Sequence, residues 1–136
     1  MRRFHSVNLV ICVALICAPL ALARPASNGS VSRSWISIKN GGSKVDRFAS
    51  KKAPKLYANF VLRTAPTANR DLKIIWRDPK GQLQAEWDST TRKDDRKGTR
   101  LFAYINPKVY RAVKGRWTAK LLVAGKPISQ ATIILT

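Results

Sequence analysis

Glu86 and Asp88 flank Trp87. On an extended strand, residues two apart share a face. The two carboxyls can therefore converge on a sugar ring, as the acid pair of a glycoside hydrolase does. A competing reading makes them the outer face of a hairpin whose Trp87 points inward. A general acid needs a raised pKa, whereas nearby Lys and Arg keep carboxyls ionised. The sequence favours the second reading. Asp94-Asp95 is another acidic pair, set inside Arg92-Lys93-Asp94-Asp95-Arg96-Lys97. Calcium takes about six to eight oxygen ligands, so two carboxylates hemmed in by cations read as local ion pairing in a loop.

Other catalytic designs depend on residues that sit only at the N-terminus. His5 is the sole histidine, and Cys12 and Cys17 are the only cysteines. They belong to a segment with the layout of a secretory signal. Met1-Arg2-Arg3 is a short basic region, Leu9 to Ala23 is apolar or Pro throughout, and Ala21-Leu22-Ala23 is an A-x-A cleavage pattern. The apolar run is 15 residues, short of the roughly 20 that span a bilayer. Cleavage after Ala23 leaves residues 24–136 with no His, Cys or Met. A Ser-His-Asp triad, a Cys nucleophile and a His- or Cys-ligated zinc are then excluded. No phosphate-cradling glycine loop or dinucleotide-binding fingerprint occurs. No enzyme activity, metal or cofactor is expected. Export without disulfides is ordinary in a bacterial periplasm, so a periplasmic or extracellular bacterial protein is expected.

Positive charge is the feature beyond ordinary composition. The full chain carries 26 Lys and Arg against 7 Asp and Glu. Removing Arg2 and Arg3 leaves 24 basic residues and all 7 acids, a formal charge of +17 on the mature chain. Such a surplus attracts polyanions. Three local sets stand out: Lys51, Lys52 and Lys55; Arg92, Lys93, Arg96, Lys97 and Arg100; and Lys108, Arg111, Lys114, Arg116 and Lys120. The second and third form a continuous binding patch if they lie at the same end of the fold. Tyr57, Tyr104 and Tyr110 offer stacking surfaces beside that charge, though three tyrosines in a β domain are more often strand fillers.

The elements that must position these residues are short strands. Residues 24–31 are polar and turn-prone, a flexible leader, and a single domain spans 32–136. Apolar–polar alternation predicts strands over about 32–39, 55–64, 72–77, 83–87, 101–105, 116–123 and 128–135. Residues 43–55 read as basic and irregular, and 108–114 as a turn or one helical coil. Asp78-Pro79-Lys80-Gly81 suits a type I turn, and Ala124-Gly125-Lys126 closes the last hairpin. No helical periodicity of ten residues or more occurs in the mature chain. The pattern predicts an all-β, antiparallel sandwich of about seven strands, with a small closed barrel as the alternative. Trp76 and Trp117 are expected to meet across its two sheets.

Gly115-Arg116-Trp117-Thr118, with Leu121, Gly125-Lys126 and Ile128, resembles the closing hairpin of bacterial exported immunoglobulin-like or fibronectin-III-like modules. Trp76 with Asp78-Pro79-Lys80-Gly81 resembles an earlier hairpin of the same modules. The likeness covers about half the mature domain and implies fold without site residues. It departs from antibody-type domains in lacking both core cysteines.

Two functional expectations follow. One is a basic binding module for an anionic polysaccharide, lipopolysaccharide or an acidic protein, with nucleic acid bound only non-specifically through its phosphates. The other is an assembly module that docks to a larger envelope protein through a sheet edge, most plausibly near residues 83–88, with the charge incidental.

Overall fold

The computed structural model describes residues 26–52, 55–111 and 113–136. The expected signal segment, 1–23, and the side chain of Tyr110 lie outside the described residues. Each predicted alternation is a strand: β1 (Ser30–Ser37), β3 (Leu56–Thr64), β4 (Asp71–Arg77), β5 (Leu83–Thr90), β6 (Arg100–Ile105), β7 (Gly115–Val123) and β8 (Lys126–Leu135). One more, β2 (Arg47–Phe48), lies in the segment read as irregular. It is two residues long and pairs in parallel with the end of β8. Within 108–114 the predicted coil is a single 3-10 turn, Pro107–Tyr110, and another covers Ser50–Lys52.

The strands form two sheets, β1-β3-β6 and β2-β8-β7-β4-β5. Alternation decides which side chains face the gap between them. Ile36, Leu56, Ala58, Phe60, Ala103 and Ile105 fill it from the three-stranded sheet. Leu72, Ile74, Trp76, Trp117, Ala119, Leu121, Val123, Ala131, Ile133 and Leu135 fill it from the five-stranded one. Two expectations are corrected here. Trp76 and Trp117 do not meet across the sheets; β4 and β7 are hydrogen-bonded neighbours, so both indoles enter the core from the same sheet. The leader is also shorter than 24–31. Ser27 exchanges hydrogen bonds with Thr67, and Ser30 already pairs with Thr64.

Local chemistry fixes the turns that set the register. Asp78 accepts from the backbone N–H groups of Lys80 and Gln82 and from Gln84 Nε2, each at 2.8–2.9 Å. The Gly81 N–H closes the turn on the Asp78 carbonyl. Between β7 and β8 the loop is only Ala124-Gly125, with φ of 51° and 77°. Two successive positive φ values match the tight hairpin turn whose twist suits its strands.

The outer face of the three-stranded sheet is covered in part by its own chain. Residues 38–45 fold back over it: the Val45 N–H bonds to the Ile36 carbonyl and Trp35 Nε1 donates to the Gly42 carbonyl. Beneath them Asn59, fully buried, donates to Ser37 Oγ and to the Tyr57 carbonyl. It also accepts from Arg100 at 2.6 Å.

Candidate binding site

A strand crosses the sandwich from one end to the other, so each loop belongs to one end. The segments before β3, between β6 and β7, and between β4 and β5 share one end, as the pairings of Leu56 with Ile105 and of Arg77 with Thr118 require. The 91–99 loop lies at the opposite end, tied to Leu62 and Asn69 by backbone bonds. The second and third basic sets are therefore separated by the length of β6. Arg92, Lys93, Arg96 and Lys97 do not join Lys108, Arg111 and Lys114.

What the structure does unite is the first set with the third. Lys51, Lys108, Arg111 and Lys114 line one shallow concavity of about 490 Å³ with Ser50 and Val113, and no carboxylate side chain lines it among the described residues. Lys52 is exposed beside it. Arg111 has φ 63° and caps the 3-10 turn by donating its backbone N–H to the Lys108 and Pro107 carbonyls. Trp117 holds the next residues in place, its Nε1 donating to the Val113 carbonyl at 2.7 Å. The charge continues onto the outer face of the five-stranded sheet. Arg116 and Arg47 both pair with Ile134, and one row further in Thr118 pairs with Arg77. Lys120 lies in the row beyond. Arg47 is a cation the sequence reading missed, since a two-residue strand leaves no alternation to detect.

Several other residues singled out from the sequence are engaged by their own neighbours. Arg100 donates to Asn59 and to Asn40 Oδ1 at 2.7 Å and lies 4.6 Å from the Phe102 ring centroid. It secures the 38–45 cover. Lys55 sits over the Tyr104 ring at 4.6 Å, and Tyr57 and Tyr104 are tilted neighbours at 5.8 Å. Glu86 and Asp88 both reach Lys73, at 3.4 and 3.5 Å. The charge of Asp88 first, then the hydrogen bond to Glu86, raises the Lys73 pKa. Both acids are exposed on the outer face of the hairpin, as the second reading expects. In the 91–99 loop Asp95 accepts from the Arg92 backbone N–H at 2.7 Å. No cluster of three or more metal-binding side chains occurs among the described residues.

A second, larger feature was not anticipated from sequence. β5 and β6 are the free edges of the two sheets on one side. The sheets are offset there, and a cleft of about 850 Å³ opens between them. Leu72 and Trp76 form its floor, Ala85, Trp87 and Ser89 of β5 one wall, and all residues from Arg100 to Tyr104 the other. Trp87 lies on the core-facing side of its sheet, opposite Ile74. It remains 41% exposed because the three-stranded sheet stops short of it.

No protein-family model matches the chain, and no curated protein matches it significantly. Its fold is similar to the crystal structure of an immunoglobulin-like protein from Pseudomonas aeruginosa. The likeness has a TM-score of 0.55 at 9% identity and covers 79% of this chain and 95% of that one. An alkylpurine DNA glycosylase from Pseudomonas fluorescens, bound to DNA with an abasic-site analogue, aligns at TM-score 0.49 and 12% identity. That match covers 87% of this chain, which spans 33% of the glycosylase chain, and it is too loose to support an argument. The chain thus has the fold of an immunoglobulin-like β-sandwich, and a likeness this remote carries fold alone.

Proposed function

We propose that the protein is an exported, non-enzymatic binding module that holds an anionic polymer at its basic end. The observation that carries this is the convergence of Lys51, Lys108, Arg111 and Lys114, far apart in sequence, around one concavity without a carboxylate. None of them forms an ion pair among the described residues. The Arg116–Arg47 row prolongs the path for a chain-like ligand. Anionic polysaccharide, lipopolysaccharide phosphates and an acidic protein surface share the chemistry required. Nucleic acid fits only through its phosphates, since nothing here presents a base-reading element. The partnered state of Glu86, Asp88 and Asp95 supports a non-catalytic reading. Among the described residues no helix is long and apolar enough to cross a membrane.

Binding of this kind releases counterions and falls steeply with salt. Five phosphate contacts on a rod-like polyanion would lose on the order of several hundred-fold in affinity between about 50 and 200 mM salt. The test is retention on immobilised heparin. Lys51, Lys108 and Lys114 are reversed to Glu in one variant, and Arg92, Lys93 and Lys97 in another of equal net charge. The first should elute at much lower salt than the second. Equal losses would mean that net charge alone acts, and the proposal would fall.

A further inference from the structure

The cleft between β5 and β6 is built to accept something other than solvent. Its wall on β6 includes five consecutive residues, Arg100 to Tyr104, so the strand turns its backbone edge to the opening. The Leu62 N–H bonds to the Thr99 carbonyl, and the alternation of an antiparallel ladder sets the rest. Leu101 and Ala103 direct their N–H and C=O groups to β3. Those of Phe102 and Tyr104 point away from it, to the free edge. Natural edges are blunted by Lys, Pro, bulges or very short strands. β6 has no Lys or Pro and pairs with β3 in unbroken register. Its one charge, Arg100, is held by Asn59 and Asn40.

Beneath that edge lies a second unfilled requirement. The Trp76 indole N–H is buried with no hydrogen-bond partner in a residue only 1% exposed. A buried donor left unpaired is costly, and Trp76 lines the floor of the cleft. An added strand beside β6 would lie over Ala85, Trp87 and Ser89. It would cover the indole of Trp87 and close over the part of the cleft that Trp76 lines.

We infer that β6 is the docking edge for an extended segment of another protein, bound as an added strand, with alternating apolar residues and acidic residues at both ends. The 92–97 loop stands at the end of the cleft where β6 begins and carries a formal charge of +2, Arg92, Lys93, Arg96 and Lys97 against Asp94 and Asp95, and Lys55 stands at the end where β6 finishes. A second copy of the chain is the wrong occupant, because two domains of formal charge near +17 repel each other. The inward-facing residues of the segment are apolar. The cleft shares no lining residue with the basic concavity, so it stands or falls independently of the polymer proposal.

The test uses a library of synthetic peptides long enough to span β6. Apolar and variable polar positions alternate, with Asp-Asp at each end, and a Lys-Lys-ended library serves for comparison. Binders should come from the acidic library. In ¹H–¹⁵N spectra they should shift the Phe102 and Tyr104 amides and the Trp76 indole N–H. Phe102→Pro removes an edge donor without breaking a bond to β3, since Pro is tolerated where the N–H faces outward. It should weaken the selected peptide on the order of tenfold or more, and Trp87→Ala should do the same at a temperature where both variants are fully folded. No binder in the acidic library, binders that leave those signals unmoved, or equal recovery from the Lys-ended library would overturn the inference. So would a concentration-dependent dimer abolished by Phe102→Pro.

Discussion

Replacing Asn59 with Ala should destabilise the domain far more than an ordinary polar substitution. Asn59 is fully buried on the outer side of its sheet. It donates to Ser37 Oγ at 3.0 Å and to the Tyr57 carbonyl at 3.1 Å, and accepts from Arg100 at 2.6 Å. Two neutral bonds at about 1 kcal/mol each and one charge-assisted bond at about 1.5–3 kcal/mol give a loss of roughly 4 kcal/mol. For a domain of this size that is a drop in Tm of about 15 °C or more, against a typical total stability of about 5–15 kcal/mol. Circular dichroism melts measure the drop, and hydrogen exchange at Gly42 and Val45 reports the loosened 38–45 cover. Arg100→Ala leaves Asn59 Oδ1 buried without its donor and should cost about 1–3 kcal/mol. The two losses should not add, because the residues share a bond. Heparin retention of Arg100→Ala should change far less than that of Lys108→Ala. A Tm fall below about 4 °C for Asn59→Ala, or Arg100→Ala losing retention at unchanged stability, would refute the assignment of Arg100 to the scaffold.

Asp78 gives a pH dependence. Burial alone would raise its pKa, but hydrogen bonds from Gln82, Gln84 and Lys80, with the Lys80 charge, outweigh burial and hold it below the ordinary value. A carboxyl lowered by folding adds stability that is complete above its unfolded pKa, near 4. That stability is lost as pH falls through the lower folded value. Asp78→Asn should therefore flatten the decline in stability below about pH 4, measured by urea melts across acid pH; an unchanged slope counts against it. Ala124 has φ 51° in a two-residue turn, where an L residue pays about 1 kcal/mol. Ala124→Gly or Ala124→Asn should raise Tm by a few degrees, and a fall would contradict the turn assignment. Glu86→Gln with Asp88→Asn should lower the Lys73 pKa, since their charges raise it; NMR titration of its Nζ resonance checks the direction.

How much of this was readable in advance follows from the range of each interaction. The seven long strands were legible because period-two alternation is local, as in Trp117, Ala119, Leu121 and Val123. β2 was not, since two residues carry no period and its pairing with Ile134 and Leu135 is wholly long-range. Sheet membership was also hidden: nothing in the neighbourhood of Trp76 or Trp117 says that β4 and β7 bond side by side. The separation of the basic sets was legible by counting. One strand, β6, divides the 91–99 loop from 107–114, and one crossing changes ends. Four strands divide 51–55 from 107–114, which returns the chain to the same end. The cleft left no such signal, because it arises from how far one sheet extends past the other. Arg100 looked like one more loop cation, and only the fold places Asn59 and Asn40 against it.

The most direct test of the account is to titrate the ¹⁵N-labelled protein with a short sulfated oligosaccharide at low salt and map the amide shifts. They should concentrate at residues 50–52, 108–111 and 113–116 and vanish as salt is raised. Shifts centred on residues 92–97, or spread evenly over both ends, would contradict it.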